Sequence, residues 1–386
     1  MKKFAVLNLV LVLSLLLGSV AFAADDIQAE AYAYFSGGFK AINADALYEN
    51  LNDGDTSNDP YVVDVRSKED HDKGYIHGSV WADPKTFFQA ANLDKLPKDQ
   101  DIVVYCYTGQ TASQIVSVLR MMGYEAYNLQ FGFGSWTMNA DAGSKWFDET
   151  KAGHDYAFET TANEATETYD LPDPLADTLQ AAADAYFSGG TKNIDAAALF
   201  DNLNDGDTSN DPFVVSIRSA DHYALGHIPG AVHMDPKEMF IAANLAKLPP
   251  DQQIVIYCYS GQTGSQVTSA LRLLGYDAYN LLYGMQAWTM DKDVRVSYFD
   301  PATRSFNYPF EGAAAGAATE ATATPEATAT PEATAAPAAT AAPAAEATPA
   351  TMPVSGGAAL PLGSLLMGLG GMTAAAGVYL RRRKAA

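Results

Sequence analysis

The chain of 386 residues contains the same sequence twice. The ten residues LNDGDTSNDP at 51–60 return unchanged at 203–212, and the sequence around them returns without a gap. Each copy has the length of an ordinary domain and is too long for a solenoid repeat. We therefore predict two equivalent domains, at residues 28–160 and 177–312, joined by an acidic, threonine-rich linker at 161–176.

Each copy alternates short β-branched apolar runs with amphipathic stretches. In the first copy YVVDVR (61–66), DIVVYC (101–106) and EAYNL (125–129) are typical of buried parallel strands. Gly123 is placed to end a helix between the last two runs. The apolar residues on one face of that helix are Ile115, Val118, Leu119 and Met122. The alternation predicts an α/β fold with a parallel sheet flanked by helices in each domain.

The chain has two cysteines, and each comes at the end of a predicted strand, as Cys106 and Cys258. Ligands of open α/β sheets bind beyond the carboxyl ends of the strands. A disulfide would need the two Cα atoms within about 7 Å, which two separate domains do not provide. We therefore expect two free thiols.

A short polar loop follows each cysteine, CYTGQT in the first copy and CYSGQT in the second. The helix that begins there offers unpaired backbone N–H groups, which stabilise a thiolate and lower its pKa. Gly109 lets the backbone fold back, so that several N–H groups point at one sulfur atom. A buried structural cysteine is the alternative, but packing alone does not require the same polar loop twice.

Several motifs together resemble the rhodanese family. They are VVDVR (62–66), GHIPGA (226–231), the strand-end cysteine with its glycine-containing loop, and a trailing Gly and Trp, which are Gly132 and Trp136 in the first copy and Gly284 and Trp288 in the second. The resemblance implies an α/β fold and transfer of sulfane sulfur. A cysteine attacks a donor, becomes a persulfide, and passes the outer sulfur to a thiol-type acceptor. No cofactor and no metal are expected.

The resemblance also implies roles for individual residues. Cys106 and Cys258 would be the catalytic nucleophiles. The substrate-binding residues that line the two sulfur cradles would be Tyr107, Thr108, Gly109, Gln110, Thr111, Tyr259, Ser260, Gly261, Gln262 and Thr263. The supporting residues would be Asp64, Arg66, Arg218 and His227.

The two loops differ from the family pattern in charge. Family loops often carry two arginines, where this chain has Tyr107 and Thr111 in the first copy and Tyr259 and Thr263 in the second. Thiosulfate therefore lacks its expected cationic partner, and we expect polysulfide or a small persulfide to be the better donor. Rhodanese-like phosphatases and arsenate reductases use a longer loop that ends in arginine, so that activity is disfavoured.

Three functions are compatible with these motifs: a sulfurtransferase, a sulfide or polysulfide carrier without turnover, and a scaffold that recognises other proteins. The cysteine in both copies argues against the scaffold. Nucleic acid is disfavoured as a partner, because 46 acidic residues outnumber 24 basic ones and phosphate contacts need clustered Lys and Arg. The side chains of Asp53, Asp55 and Asp59 offer oxygen atoms to Ca²⁺, but the spacing favours a polar turn.

Both ends of the chain predict export. Residues 1–23 have the pattern of a secretory signal peptide with a cleavage site after Ala23. Residues 313–351 are an Ala/Thr/Pro-rich spacer that we expect to be disordered.

The last segment, 352–386, is predicted to attach the exported protein to the membrane or the cell wall. It begins with MPVSGG, which resembles the sorting signal of sortase substrates, and an uncharged stretch and the basic run RRRK follow. A C-terminal apolar helix that spans the membrane is the equally favoured alternative.

Overall fold

The computed structural model describes residues 24–315, in which each repeat is built around one sheet. The strands of the first repeat are β1 (Ala41–Ile42), β2 (Tyr61–Asp64), β3 (Val80–Trp81), β4 (Ile102–Tyr105) and β5 (Ala126–Leu129). Its helices are α1 (Ala24–Ser36), α2 (Ala44–Leu51), α3 (Lys68–Lys73), α4 (Ala90–Leu93), α5 (Gln110–Met121), α6 (Phe133–Trp136) and α7 (Glu149–Ala152), with a 3₁₀ turn at Ala140–Ala142.

The second repeat has the same elements in the same order. Its strands are β6 (Asn193–Ile194), β7 (Phe213–Ser216), β8 (Val232–His233), β9 (Ile254–Tyr257) and β10 (Ala278–Leu281). Its helices are α8 (Leu179–Ser188), α9 (Ala196–Leu203), α10 (Ala220–Leu225), α11 (Ala242–Leu245), α12 (Gln262–Leu273), α13 (Met285–Trp288) and α14 (Pro301–Arg304).

Both sheets are parallel, with strand orders β1-β5-β4-β2-β3 and β6-β10-β9-β7-β8. The predicted parallel α/β fold of the two domains is therefore confirmed. The central strands β4 and β9 are apolar and fully buried, because helices cover both faces of each sheet. Both cysteines follow these central strands, at the edge where the strands end.

Helix α5 follows the predicted apolar face, and the chain leaves it at Gly123, whose φ of 85° favours glycine. The opposite, polar face of α5 is also buried, because it packs against α12 of the other repeat. The first helix of each repeat also bonds the long helix of the other repeat. The Tyr34 hydroxyl donates to Gln266 Oε1 at 2.6 Å, and the Tyr186 hydroxyl donates to Gln114 Oε1 at 2.5 Å. One apolar core therefore runs through both repeats.

After each repeat the chain crosses to the other one. We call residues 154–163 the first arm and residues 306–314 the second arm. The first arm lies on the second repeat, where Tyr156 N donates to Trp288 O at 3.0 Å. The second arm lies on the first repeat, where Tyr308 N donates to Trp136 O at 2.8 Å. The boundaries predicted at 160 and 312 therefore fall inside segments that pack on the opposite repeat.

Each arm also covers a tryptophan of the other repeat. Trp136 Nε1 donates to Pro309 O at 2.8 Å, and Trp288 Nε1 donates to Ala157 O at 2.9 Å. The second apolar face of each sheet is closed in this way, so neither repeat has a complete core without the other.

The predicted signal peptide, the anchor segment and nearly all of the predicted spacer lie outside the described residues. Between residues 24 and 315, every helix is too short or too polar to cross a membrane.

Candidate active site

The two thiols are free, as expected, and both are buried. Cys106 is 3% exposed and Cys258 is 1% exposed. Each lies in the turn between a central strand and the long helix that follows it, β4 and α5 for Cys106 and β9 and α12 for Cys258. Each cysteine therefore lies next to the amino-terminal end of a long helix.

The loops form the expected backbone cradle. Gly261 N donates to Cys258 Sγ at 3.1 Å. Gly261 and Gly109 have φ values of 83° and 81°, in the left-handed region that favours glycine. The residue just before each long helix can therefore turn its N–H group back toward the sulfur atom.

The pKa of the Cys106 thiol is raised, whereas the sequence predicted that it would be lowered. Burial raises the pKa of Cys106, and this effect is larger than the opposing effect of the backbone N–H groups of Ala112, Thr108, Gly109 and Thr111. The predicted lowering is therefore wrong for the resting thiol of the first repeat, since the sequence shows the N–H groups but not the depth of burial.

The hydroxyl groups of the loop tyrosines bind the neighbouring helix. The Tyr107 hydroxyl donates to Asp70 Oδ2 at 2.6 Å and accepts from Ser67 N at 3.2 Å. In the second repeat the Tyr259 hydroxyl lies 2.7 Å from His222 Nδ1. The two tyrosines replace the first arginine of the family loop with a neutral group that holds the loop to α3 or α10.

The loop glutamines reach into the other repeat. Gln262 Oε1 accepts from Phe131 N at 2.9 Å and from Asn128 Nδ2 at 3.0 Å. Phe131 has a φ of 60°, a strained value for a side chain of this size. The symmetry-related set is Gln110, Tyr283 and Asn280. Each cysteine loop thus stabilises a strained turn beside the other cysteine loop.

A cavity of about 320 Å³ lies over the second cysteine. The second repeat contributes Cys258, Tyr259, Ser260, Gln262 and Thr263, all predicted from the sequence. The first repeat contributes residues that the sequence reasoning missed, including Phe39, Gln130 and Phe131. No motif marks these residues, because they reach the cavity only through the packing of one repeat on the other.

The family model for the rhodanese-like domain matches residues 43–139 and 195–291, which together make half of the chain. The chain belongs to the rhodanese-like family. Both cradles and both cysteines lie inside the matched ranges, so this is a tandem rhodanese-like protein.

Curated relatives match one repeat at moderate identity. A sulfurtransferase of Allochromatium vinosum is 34% identical over 96 residues, which cover 25% of this chain and 85% of that protein. The thiosulfate sulfurtransferase GlpE of Ectopseudomonas mendocina is 32% identical over 81 residues, 21% of this chain and 72% of that protein. A tRNA sulfurtransferase of Pyrobaculum aerophilum is 35% identical over 69 residues, which cover 18% of this chain. The chain spans only 14% of that longer relative.

Among solved structures, the thiosulfate sulfurtransferase of Pseudomonas aeruginosa matches 74% of this chain and 48% of its own, with 12% identity and a TM-score of 0.24. A rhodanese-like domain protein of Staphylococcus aureus matches 26% of this chain and 94% of its own, with 26% identity and a TM-score of 0.24.

The supporting residues of the first rhodanese-like repeat form a buried ion pair. Arg66 Nη2 lies 2.6 Å from Asp64 Oδ2, and both side chains are inaccessible to solvent. Burial acts to raise the pKa of Asp64, but hydrogen bonds from His71 and Arg66 bring that pKa below its usual value. The guanidinium also lies 3.8 Å from the centre of the Phe133 ring. These contacts fix the chain next to the loop and leave no group of the pair free to bind substrate.

The second rhodanese-like repeat lacks this ion pair, because Ser216 takes the place of Asp64. Arg218 Nη1 instead donates to Val294 O at 3.0 Å, and Arg218 Nε and Ser216 Oγ are buried without a partner. His227 lies 3.1 Å from Thr161 O and so contacts the first arm. Arg218 and His227 therefore support the fold around the site.

The aspartate-rich turns bind their own backbone. Asp53 Oδ1 accepts from Asp55 N at 2.7 Å, and Asp55 Oδ1 accepts from Ser57 N at 3.1 Å. The turn at 205–209 repeats both bonds. Within the part of the chain that the structure describes, no group of three His, Cys, Asp or Glu side chains is placed to hold a metal ion.

Proposed function

We propose that this tandem rhodanese-like protein is a sulfurtransferase that carries sulfane sulfur as a persulfide on both Cys106 and Cys258. The observation that carries the proposal is the cradle, in which each free thiol lies under a loop whose backbone N–H groups face it. The sulfurtransferase relatives support the same chemistry.

The proposed reaction has two displacements. A cysteine thiolate attacks the outer sulfur of the donor, so that a new S–S bond forms and the donor's own S–S bond breaks. The leaving group departs with the electron pair of that bond. An acceptor thiolate then attacks the outer sulfur of the persulfide and releases the cysteine thiolate.

The cradle suits the persulfide better than the resting thiol. Burial keeps the Cys106 thiol protonated by raising its pKa. In the persulfide the charge lies one atom further out, and a charge-assisted hydrogen bond is about twice as strong as a neutral one. The cavity over Cys258 gives that outer sulfur room. The site therefore favours a loaded state that persists until an acceptor enters.

Mass spectrometry of the intact protein after incubation with polysulfide, an alkyl persulfide or thiosulfate tests the proposal. The parent protein should gain two sulfur atoms, and Cys106→Ser and Cys258→Ser should each gain one. An unchanged mass with every donor would refute persulfide formation.

The second candidate is a carrier that holds persulfide without turning over by itself. The burial of both cysteines favours it, because a buried sulfur is hard for a large acceptor to reach. Steady turnover with cyanide or a small thiol as acceptor would identify an enzyme. A loaded protein that such acceptors fail to discharge would identify a carrier.

The proposed place of action is outside the cytoplasm, with the chain held at the cell surface by residues 352–386. The signal-like sequence at 1–23, the uncharged stretch at Gly357–Leu380 and the RRRK run support this. A chain truncated after Ala350 should be released into the medium. If it still fractionates with the membrane or wall, the attachment lies elsewhere.

A further inference from the structure

We infer that Arg304 supplies the cation that the Cys258 loop lacks, and that it binds the anionic part of a sulfur donor such as thiosulfate. The inference rests on the proposed sulfurtransferase function and assigns donor selectivity to one of the two sites. Arg304 ends helix α14, 46 residues beyond Cys258, and belongs to neither the loop nor any family motif described above.

The placement of Arg304 carries the argument. Arg304 lines the same cavity as Cys258, and its guanidinium lies 5.9 Å from the centre of the Phe131 ring, which also lines the cavity. The cavity, of about 320 Å³, has room for a small anion and is lined by both Cys258 and Arg304. A guanidinium offers five N–H donors in a plane, an arrangement that suits an oxyanion.

The charge of Arg304 is available to a ligand. The arginines that form ion pairs within residues 24–315 are Arg66, Arg120, Arg272 and Arg295. Arg304 is not among them, so no carboxylate of the described chain neutralises it at contact distance. An incoming anion would be its first charged partner.

The first repeat has no counterpart to this cation. Ala152 occupies the position equivalent to Arg304. Lys145 does lie at the Cys106 loop, with Nζ 4.0 Å from the centre of the Tyr107 ring, but the same Nζ is 3.3 Å from Asp70 Oδ2. Asp70 and Glu69 balance the charges of Lys145 and Lys73 in this cluster, so the Cys106 loop attracts an anion less strongly. The two sites therefore differ in donor, although their loops are nearly identical.

The step at Cys258 with thiosulfate balances without another reactant. The Cys258 thiolate attacks the outer sulfur, the S–S bond of thiosulfate breaks, and sulfite leaves with the electron pair. The guanidinium faces the sulfonate group, which keeps its negative charge in the donor and gains charge as sulfite leaves. The loop N–H groups, of which that of Gly261 already donates to Cys258 Sγ, would then bind the new persulfide.

The test compares Arg304→Gln and Arg304→Lys in the full chain carrying Cys106→Ser, so that only Cys258 loads. With thiosulfate, Arg304→Gln should lower the loading efficiency by about 3- to 10-fold, mainly through KM, since an exposed charge is partly screened by water. Arg304→Lys should keep most of the efficiency. With a small monoanionic alkyl persulfide the loss should be smaller, and added salt should reduce the difference between the variants.

The same change in the Cys258→Ser chain is the matched control, and it should leave loading of Cys106 unaltered. Equal losses with both donors, equal losses at both cysteines, or no loss at all would overturn the assignment.

A measurement without turnover separates this inference from the proposed function. Sulfate should slow alkylation of Cys258 by iodoacetamide in the parent and less so in Arg304→Gln. Protection that is the same in both proteins would overturn the anion site, even if persulfide forms. If no donor loads either cysteine but sulfate protection depends on Arg304, the anion site stands and the proposed function fails.

Discussion

Ser117 Oγ and Ser269 Oγ lie 2.7 Å apart, and the two serines hold equivalent positions in the two repeats. A residue can contact its own counterpart only near an axis of twofold symmetry. The axis therefore passes between α5 and α12, and the contacts of Gln262 with the first repeat are returned by those of Gln110 with the second. Both cysteine loops contact the opposite repeat for this reason.

The glutamine contacts predict that each loop controls the cysteine of the other repeat. Gln262→Ala removes the acceptor of the strained, half-buried Phe131 N–H, and an unsatisfied donor there costs about 1 kcal/mol. Phe133 N, two residues further on, donates to Cys106 O at 2.8 Å. We expect a lower Tm and altered alkylation of Cys106 in a Cys258→Ser background. Gln262→Glu keeps an oxygen acceptor for Phe131 N, although it loses the donor to Ser260, and should perturb Cys106 less than the alanine variant. An unperturbed Cys106 in the alanine variant would contradict this coupling.

The reactivity of Cys106 should depend on pH in a defined direction. Burial raises the pKa of its thiol, so the thiolate fraction at neutral pH is lower than for a free cysteine, whose pKa is about 8.5. In the Cys258→Ser chain the rate of alkylation should keep rising with pH beyond that value. A rate that levels off below about pH 8 would show that the N–H groups outweigh burial.

The buried ion pair predicts that stability depends on pH through Asp64. Its pKa is lower in the folded chain than in the unfolded one, so the ionised form stabilises the fold above the unfolded value of about 3.9. This contribution is lost as the pH falls through the folded pKa. Asp64→Asn should cost about 3–5 kcal/mol at neutral pH. Chemical denaturation at several pH values checks this, and the difference from the parent should shrink in acid.

In the second repeat the missing ion pair can be introduced by substitution. Ser216→Asp places a carboxylate where Arg218 Nε is buried without a partner, so the variant should gain about 1.5–3 kcal/mol of stability at neutral pH from hydrogen bonds to a charged group. Ser216→Asn, of similar size and uncharged, is the control. Destabilisation by the aspartate alone would mean that desolvation of the new charge exceeds its attraction to Arg218.

The exchanged arms predict that one tyrosine in each arm stabilises the packing of the two repeats. The Tyr308 ring stacks on Tyr48 with centroids 3.9 Å apart and lies 5.2 Å from Trp136. Tyr308→Ala should cost about 1–3 kcal/mol and shift the tryptophan emission to longer wavelength. Tyr156→Ala removes the equivalent stack on Phe200 and should have a similar effect. If both variants unfold as the parent does, the arms contribute nothing to stability.

The sequence predicted what lies within one repeat. The strands, the apolar face of α5, the glycine at its end and the position of both cysteines follow from periodicity and turn chemistry. The environment of the polar face of α5 could not be predicted in this way. Ser113, Gln114 and Ser117 have the pattern of a solvated surface, but they are buried. They are buried because the second repeat packs on them, with Ser269 of α12 against Ser117 and Tyr186 of α8 against Gln114. A single-copy pattern does not reveal such a partner.

The same limit applies to the candidate site. The sequence identified the loop residues but not Phe131 or Arg304, which reach the cavity from distant segments. Aligning the two repeats would have singled out Arg304, because the equivalent position of the first repeat is Ala152. A difference between two copies of one domain can mark specialisation as clearly as a shared motif marks common chemistry.

The exchanged arms have a consequence for the order in which this chain can mature during synthesis. The first repeat keeps its second apolar face open until the second arm leaves the ribosome, about 170 residues after Trp136, which takes roughly 10 to 35 s at typical rates of translation. During that time Trp136 and its neighbours are exposed to chaperones, or to the first repeat of another chain. Completion of the first repeat is therefore delayed until nearly all of the second has been made, and the two copies reach their final form together.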